Sequence, residues 1–454
     1  MLIEFILYLI ISIISMSRLL NKIKIFIIGL ALLFPIWIIE IHAQSGSLPF
    51  LYGDALPDAP ELATRGEFKV GVRTLELINK NQVDILHSRG VQDTLYDRKL
   101  KVEIWYPAVL ATNVQELVVY DQVMGQFNNP ARPIIPFNFQ GRAARDAAPD
   151  LVAGGYPLII VSHGYTGSRL IFTYLTENLA SKGYVVVSID HTESTFLDAA
   201  AFTSTLLNRA KDDLFVLNKM AELGKPGSNS FLTGLVDADH TALIGYSMGG
   251  YGALNAAGAG YSKTAAALVA GFSGGNKSFD SRTTGHPQYV ASYDTRIKAV
   301  VAFAPWGMER NVWDAEGLQG LKVPVFFVAG SQDDISGYEK GTKAIYLGAI
   351  HADRYLLTYQ NARHNVATNP PPPESLQPGL HFDEYYRYAD PVWNEARINN
   401  INQHFVTAFL GIHLKHRDFG KYLELQENAN EKTWTGFKPR ASTGLELLHA
   451  LPSQ

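Results

Sequence analysis

The stretch that most constrains this chain is a short apolar run, Thr241-Ala242-Leu243-Ile244. It passes straight into Gly245-Tyr246-Ser247-Met248-Gly249 and then into Gly250-Tyr251-Gly252-Ala253-Leu254-Asn255-Ala256-Ala257. Glycines on both sides of one serine relieve the crowding of a sharp strand-to-helix turn. The small residues that follow let a helix lie close against a sheet. A strand followed at once by a close-packed helix suits a parallel sheet with helices on both faces.

The rest of the chain repeats that unit. Short β-rich runs without clean alternation fall at 156–162, 184–190, 297–304, 323–329 and 354–359. Helical spacing covers 170–182, 203–223 and 393–414, the last with Ile398, Ile401, Phe405 and Phe409 on one face. Two earlier runs, 69–78 and 98–106, read as paired N-terminal strands. The predicted fold class is α/β, a mostly parallel, doubly wound sheet in a single domain over 46–454, with no internal repeat. Insertions at about 261–294 and 365–392 interrupt it; the first is rich in Gly, Ser, Thr and Lys, and the second contains Pro370 to Pro373. Both follow residues with candidate chemistry, so they are either loops roofing a site or elaborations of the surface.

Residues 1–45 stand outside the fold. Arg18, Lys22 and Lys24 precede an apolar run over 25–39, then Ile41-His42-Ala43-Gln44 and a small polar stretch. Basic, apolar, then small is the order of a secretory signal, with a mature start near Gln44. The alternative is an uncleaved anchor, because the apolar run and its neighbours approach spanning length. Export, periplasmic or secreted, is expected on either reading, with membrane association if the anchor is kept. The 39 basic and 43 acidic residues form no long like-charged run, so no nucleic-acid partner is expected. The absence of cysteine excludes disulfides, thiolate metal sites and a cysteine nucleophile. No metal and no cofactor are expected.

Two serines fit the glycine-flanked pattern: Ser247 and, in Gly271-Phe272-Ser273-Gly274-Gly275, Ser273. The run before Ser273 could be a strand, but Asn276-Lys277-Ser278-Phe279-Asp280 after it has no apolar helical period. Context therefore favours Ser247. A serine hydroxyl needs a histidine base, and the histidine needs a carboxylate to fix its tautomer. In folds with this elbow the order along the chain is serine, acid, histidine. Gly330-Ser331-Gln332-Asp333-Asp334 follows the 323–329 run, and Asn361-Ala362-Arg363-His364-Asn365 follows the last run. Asp333 is preferred over Asp334, and His364 over His351, His381 and His404, which lie before or well beyond that strand end. The plain reading of each is an Asx-turn aspartate and a surface histidine. The oxyanion of an acyl-transfer intermediate needs aimed N–H donors. Met248, directly after the nucleophile, and Tyr165, in His163-Gly164-Tyr165-Thr166-Gly167, are the candidates. His163 and His191 are read as structural.

At these residues the chain resembles the α/β-hydrolase group that includes platelet-activating-factor acetylhydrolases, predicted dienelactone hydrolases and bacterial cutinase-like polyester hydrolases. The resemblance spans about 155–365. It rests on Tyr156-Pro157-Leu158-Ile159-Ile160-Val161-Ser162-His163-Gly164, the 179–190 run, the Ser247 elbow and Gly330 to Asp333. Gly164-Tyr165-Thr166, the methionine after the serine, and Ala304-Pro305-Trp306 lean toward the cutinase-like branch. The resemblance implies that Tyr165 and Trp306 clamp an acyl or aromatic group; the alternative is that Trp306 packs at a strand end. Dienelactone hydrolases proper use cysteine, so that name carries fold and not chemistry. The expectation is a serine carboxylic-ester hydrolase acting through an acyl-enzyme on short acyl esters or on lipid- or polyester-like substrates. The alternatives are a non-catalytic ligand-binding module on the same fold and a serine peptidase or amidase.

Overall fold

In the computed structural model, the described residues are 50–424 and 434–453. Their strands run in the order β1 (Lys69–Val83), β2 (Leu95–Val109), β3 (Val118–Met124), β4 (Ile135–Gly141), β5 (Ala144–Arg145), β6 (Ala148–Pro149), β7 (Tyr156–Ser162), β8 (Val185–Asp190), β9 (Val236–Tyr246), β10 (Ile297–Phe303), β11 (Val325–Gly330), β12 (Arg354–Tyr359) and β13 (Leu445–Ala450). The main sheet has the order β13-β12-β11-β10-β9-β7-β8-β2-β1-β5, with β6 beside β2. From β8 through β7, β9, β10 and β11 to β12 every pairing is parallel. Antiparallel strands close both flanks, β2 on β8 and β13 on β12. Residues from Leu51 onward pack as one unit.

The central strands separate two cores, which is why their sequences run apolar without alternation. Ala242, Ile244, Val301 and Phe303 face one core with Phe405 and Phe409, from the helix Glu395–Lys415. Leu243, Val300 and Ala302 face the other core with Met220 of the helix Phe202–Gly224 and Leu254 of the helix Met248–Ala256. All of these side chains are buried.

Several expectations need correction. The 261–294 insertion is largely helical, with helices Lys263–Phe272 and Pro287–Ala291 and a 3-10 turn, Ser278–Arg282. Ser262 caps the first helix by accepting from the Ala265 amide at 3.0 Å. The run before Ser273 is therefore helix and not strand; good helix formers and a proper cap outweighed the glycines that follow. The 365–392 stretch is mostly irregular, with short turns at Pro373–Leu376 and Phe382–Tyr386. The strand entering Ser247 starts at Val236, and the closing helix starts at Glu395. Five strands were not anticipated: β13, the separate hairpin β3–β4, and the two-residue strands β5 and β6. The leader or anchor read over 1–45 lies outside the described residues, among which no helix is long and apolar enough to cross a membrane.

Candidate active site

Ser247 stands where β9 ends and the helix Met248–Ala256 begins, with φ 53° and ψ −113°. That positive φ is uncommon for a residue with a Cβ, and such strain is held in place by its surroundings. Here the Ser247 N–H donates to the Phe303 carbonyl at 2.9 Å, and the Ser247 carbonyl accepts from Tyr251 at 3.0 Å and Trp306 at 3.1 Å. The flanking glycines are sterically required. A Cβ on Gly245 would collide with the Gly249 backbone, and one on Gly249 would collide with the Ser162 carbonyl.

The strand ends of β11 and β12 deliver the next two residues. His364 Nδ1 lies 3.0 Å from both carboxylate oxygens of Asp333. Asp333 Oδ1 also accepts from the amides of Ile335 and Ser336, each at 2.9 Å. Burial would raise this carboxyl, but the His364 partner and the two amides hold it below its ordinary value. Because Asp333 can only accept, Nδ1 carries the hydrogen and Nε2 is left as the basic nitrogen. Asp334 turns outward and pairs with Arg363 at 2.7 Å. The His364 ring lies against the ring of Tyr246, the residue before the serine, with centroids 5.1 Å apart. The Tyr246 hydroxyl donates to Asn365 Oδ1 at 2.7 Å. Ser247, Asp333 and His364 are each 6 or 7% exposed, sunk but not sealed.

The loop after β7 closes the other side. A Cβ on Gly164 would lie 3.4 Å from the Ser247 Cβ, so this backbone abuts Ser247. The Gly164 carbonyl is pinned by Arg209 Nη2 at 3.1 Å and by His163 Nδ1 at 2.5 Å. In a trans peptide C=O and N–H point in opposite directions, so this grip turns the Tyr165 N–H the other way. Met248 is the first residue of its helix, where N–H groups have no carbonyl a turn earlier. Among the described residues, neither the Tyr165 nor the Met248 N–H donates to a protein acceptor.

Tyr165 and Trp306 do not meet face to face. Phe202 stands between them, 5.1 Å from each ring centroid and nearly perpendicular to both. Tyr165 is exposed, its hydroxyl donating to the Ala200 carbonyl at 2.8 Å, while Trp306 is half-buried against Tyr251. Phe202 was missed in the sequence because it opens a helix otherwise read for its core face.

Also missed was the polar cluster beneath the loop. Arg209 donates to the His163 carbonyl and, at 2.6 Å, to Ser194 Oγ. His191 joins Ser162 Oγ at 2.7 Å to Asp212 at 2.9 Å, and Asp212 is doubly bonded to Arg98. Burial, with the Arg209 charge, pushes His191 down to about 3 and His163 well below its usual range. Both histidines are wholly buried, and their surroundings disfavour the charged form. Ser273 is placed far from this chemistry in role: it ends a helix, its hydroxyl donating to the Val269 carbonyl at 2.8 Å.

A family model described as PET hydrolase-like matches residues 146–284. Cutinase est2 of Thermobifida alba is 32% identical over 191 residues, 42% of this chain and 46% of that protein. Cutinase est1 of the same organism is 24% identical over 210 residues, 46% of this chain and 53% of that protein. A ferulic acid esterase from Streptomyces cinnamoneus aligns in structure with TM-score 0.53 and 20% identity, covering 86% of this chain and 99% of that one.

This chain has the α/β-hydrolase fold.

It spans about half the length of the curated relatives it matches. The family match takes in Gly164 and the Ser247 elbow of this hydrolase fold and ends before Asp333 and His364. The pairing of those two residues thus rests on their own geometry.

Proposed function

We propose that the chain is a serine carboxylic-ester hydrolase that works through an acyl-enzyme. The observations that carry this reading are the strained, glycine-flanked Ser247 between two unengaged amides, Tyr165 on the loop beside it and Met248 at the helix start, and the His364–Asp333 pair lying against the adjacent Tyr246. The names of its relatives, cutinases and a ferulic acid esterase, agree in pointing to ester bonds.

In this mechanism His364 Nε2 takes the Ser247 proton as Oγ bonds to the ester carbonyl carbon. The N–H groups of Tyr165 and Met248 receive the resulting oxyanion. One such donor is worth roughly 2.7–4 kcal/mol of barrier in other serine hydrolases. Asp333 stabilises the imidazolium without taking its proton. The intermediate collapses as His364 returns the proton to the departing alkoxide, leaving an ester on Ser247. Water, losing a proton to the same histidine, then attacks that ester and releases the acid. The exposed Tyr165 edge and the Phe202–Trp306 pair form an apolar wall for the acyl or aromatic group of a short-acyl, lipid-like or polyester-like substrate. Export, with residues 1–45 as leader or anchor, is proposed with it.

A fluorophosphonate probe followed by peptide mass spectrometry tests the reading. Labelling is expected at Ser247, together with hydrolysis of 4-nitrophenyl acetate. An unlabelled Ser247, or labelling at Ser273 instead, would overturn the assignment.

A further inference from the structure

A concavity with a volume of about 660 Å³ opens beside Gly167, where the loop after β7 ends. Its walls come from the β3–β4 hairpin, the start of the β1–β2 pair, and the segments around Ser168 and Phe196. The hairpin lies outside the residues that the family model matches. Gly164, which abuts Ser247, and Gly167 on the cleft rim are three peptide links apart in the chain. Three residues span at most about 11 Å, so a ligand with one end at Ser247 can reach the cleft.

The lining states what kind of ligand would fit. Its cations are Lys101, Arg145 and Arg169, and its carboxylates are Glu103, Asp121 and Asp190, so formal charge cancels. The inner members are already committed to one another. Glu103 accepts from Arg169 at 3.0 Å and from Arg145, and Asp190 accepts from the Arg169 amide and guanidinium at 2.6 and 2.7 Å. A charged ligand would have to compete with these buried pairs, whereas a neutral one would not.

The outer members make no hydrogen bond of their own, although the charge of Lys101 acts on the Asp190 carboxylate. Among the described residues, the side chains of Lys101, Asp121 and Asn138 form no hydrogen bond or ion pair, and all three are exposed. Asp121 and Asn138 sit directly opposite each other on the hairpin. A lysine donates, a carboxylate accepts and an amide does both, which matches hydroxyl groups that themselves donate and accept. Beside them Val119 and Leu197 are 52% and 56% exposed, apolar surfaces for the C–H faces of a ring.

We infer that this cleft is a subsite for a neutral, hydroxyl-rich extension of the substrate, a sugar or short oligosaccharide carried on the ester. The inference rests on the ester-hydrolase reading for its context but not for its test. Ser247→Ala protein would be titrated by calorimetry with xylotetraose, cellotetraose and mannotetraose, with tetragalacturonate as the anionic comparison. Saturable binding of at least one neutral tetrasaccharide is expected in the millimolar range, at least about tenfold tighter than the anionic one. Val119→Trp, which fills the cleft from an exposed position, and Asn138→Ala should each weaken it, with thermal unfolding checking that both variants fold. No saturable binding of any neutral tetrasaccharide up to roughly 10 mM would overturn the inference. So would tetragalacturonate binding as tightly, or neutral binding that survives both variants. Because binding is read without turnover, a failed subsite and a failed esterase (no 4-nitrophenyl acetate hydrolysis by the unaltered chain) give separate answers.

Discussion

Two serine–histidine–aspartate sets flank the same loop, Ser162–His191–Asp212 beneath it and Ser247–His364–Asp333 beside it. The buried set has the more complete hydrogen-bond chain, running from serine through histidine to aspartate at 2.7 and 2.9 Å. Yet His191 and Asp212 have no exposed surface, and Ser162 lies in the regular strand β7 with its hydroxyl also facing Arg209 at 3.4 Å. Ser247 instead sits on a strained turn whose two flanking residues cannot carry a Cβ. On the proposed reading, connectivity among polar groups does not by itself mark the catalytic set. The proposal rests instead on access, a strained backbone and adjacent free amides, and each can be tested against the buried counterpart.

The largest contrast is expected at the serines. Ser247→Ala should lower ester turnover by at least about ten-thousand-fold, as in other serine hydrolases that lose a triad member. Ser162→Ala and Ser273→Ala should stay within about one order of magnitude, because a structural hydroxyl acts on stability rather than on the transition state. A collapse of activity in either control with the fold intact would erase the comparison.

Next come the aspartates. Asp333→Asn should cost about the same ten-thousand-fold in kcat by favouring the wrong tautomer, while Asp334→Asn loses a surface ion pair of at most about 1 kcal/mol. Steady-state kinetics on both variants decides between them; equal effects would reject Asp333 as the orienting acid.

Arg209, beside the buried set, grips the His163 and Gly164 carbonyls of the loop next to Ser247, and on the proposed reading this aims the Tyr165 amide. Arg209→Met should lower kcat by about a hundredfold with little change in KM, in the manner of a lost oxyanion donor. It should weaken a boronic-acid inhibitor in parallel, and Arg209→Lys should recover part of both. A change in stability without these kinetic signs would make Arg209 merely structural.

The smallest effect is on stability against pH. Burial pushes His191 down from 6.5 to about 3, so below about 6.5 the unfolded chain binds a proton that the folded chain refuses. The stability from a neutral His191 is therefore complete above about 6.5 and declines as pH falls toward 3. Urea midpoints between pH 7 and 4 should fall less steeply for His191→Asn than for the unaltered chain. Parallel slopes would show that His191 already carries its proton when folded.

Much of the fold was legible in local patterns, because a parallel sheet covered on both faces requires apolar strands, and helices that cover it require apolar stripes. The runs at 156–162, 297–304 and 354–359 became β7, β10 and β12 within a residue of their ends. The β3–β4 hairpin escaped, since its mixed residues Val118-Val119-Tyr120-Asp121-Gln122 carry no such signature. The 261–294 stretch escaped because glycine content masked a capped helix.

The sequence alone determined the sharp turn at Ser247, the proposed nucleophile. Gly245, Ser247 and Gly249 are neighbours in the chain, and crowding at a sharp turn is a local matter. The order of candidate acid and base was also readable. Tertiary structure alone decided that Asp333 and not Asp334 faces His364, that Phe202 stands between Tyr165 and Trp306, and that Arg209 holds the loop beside Ser247. Each of those contacts joins residues about 30 to 100 positions apart. No local propensity encodes them; they follow from which strand ends the sheet order sets side by side.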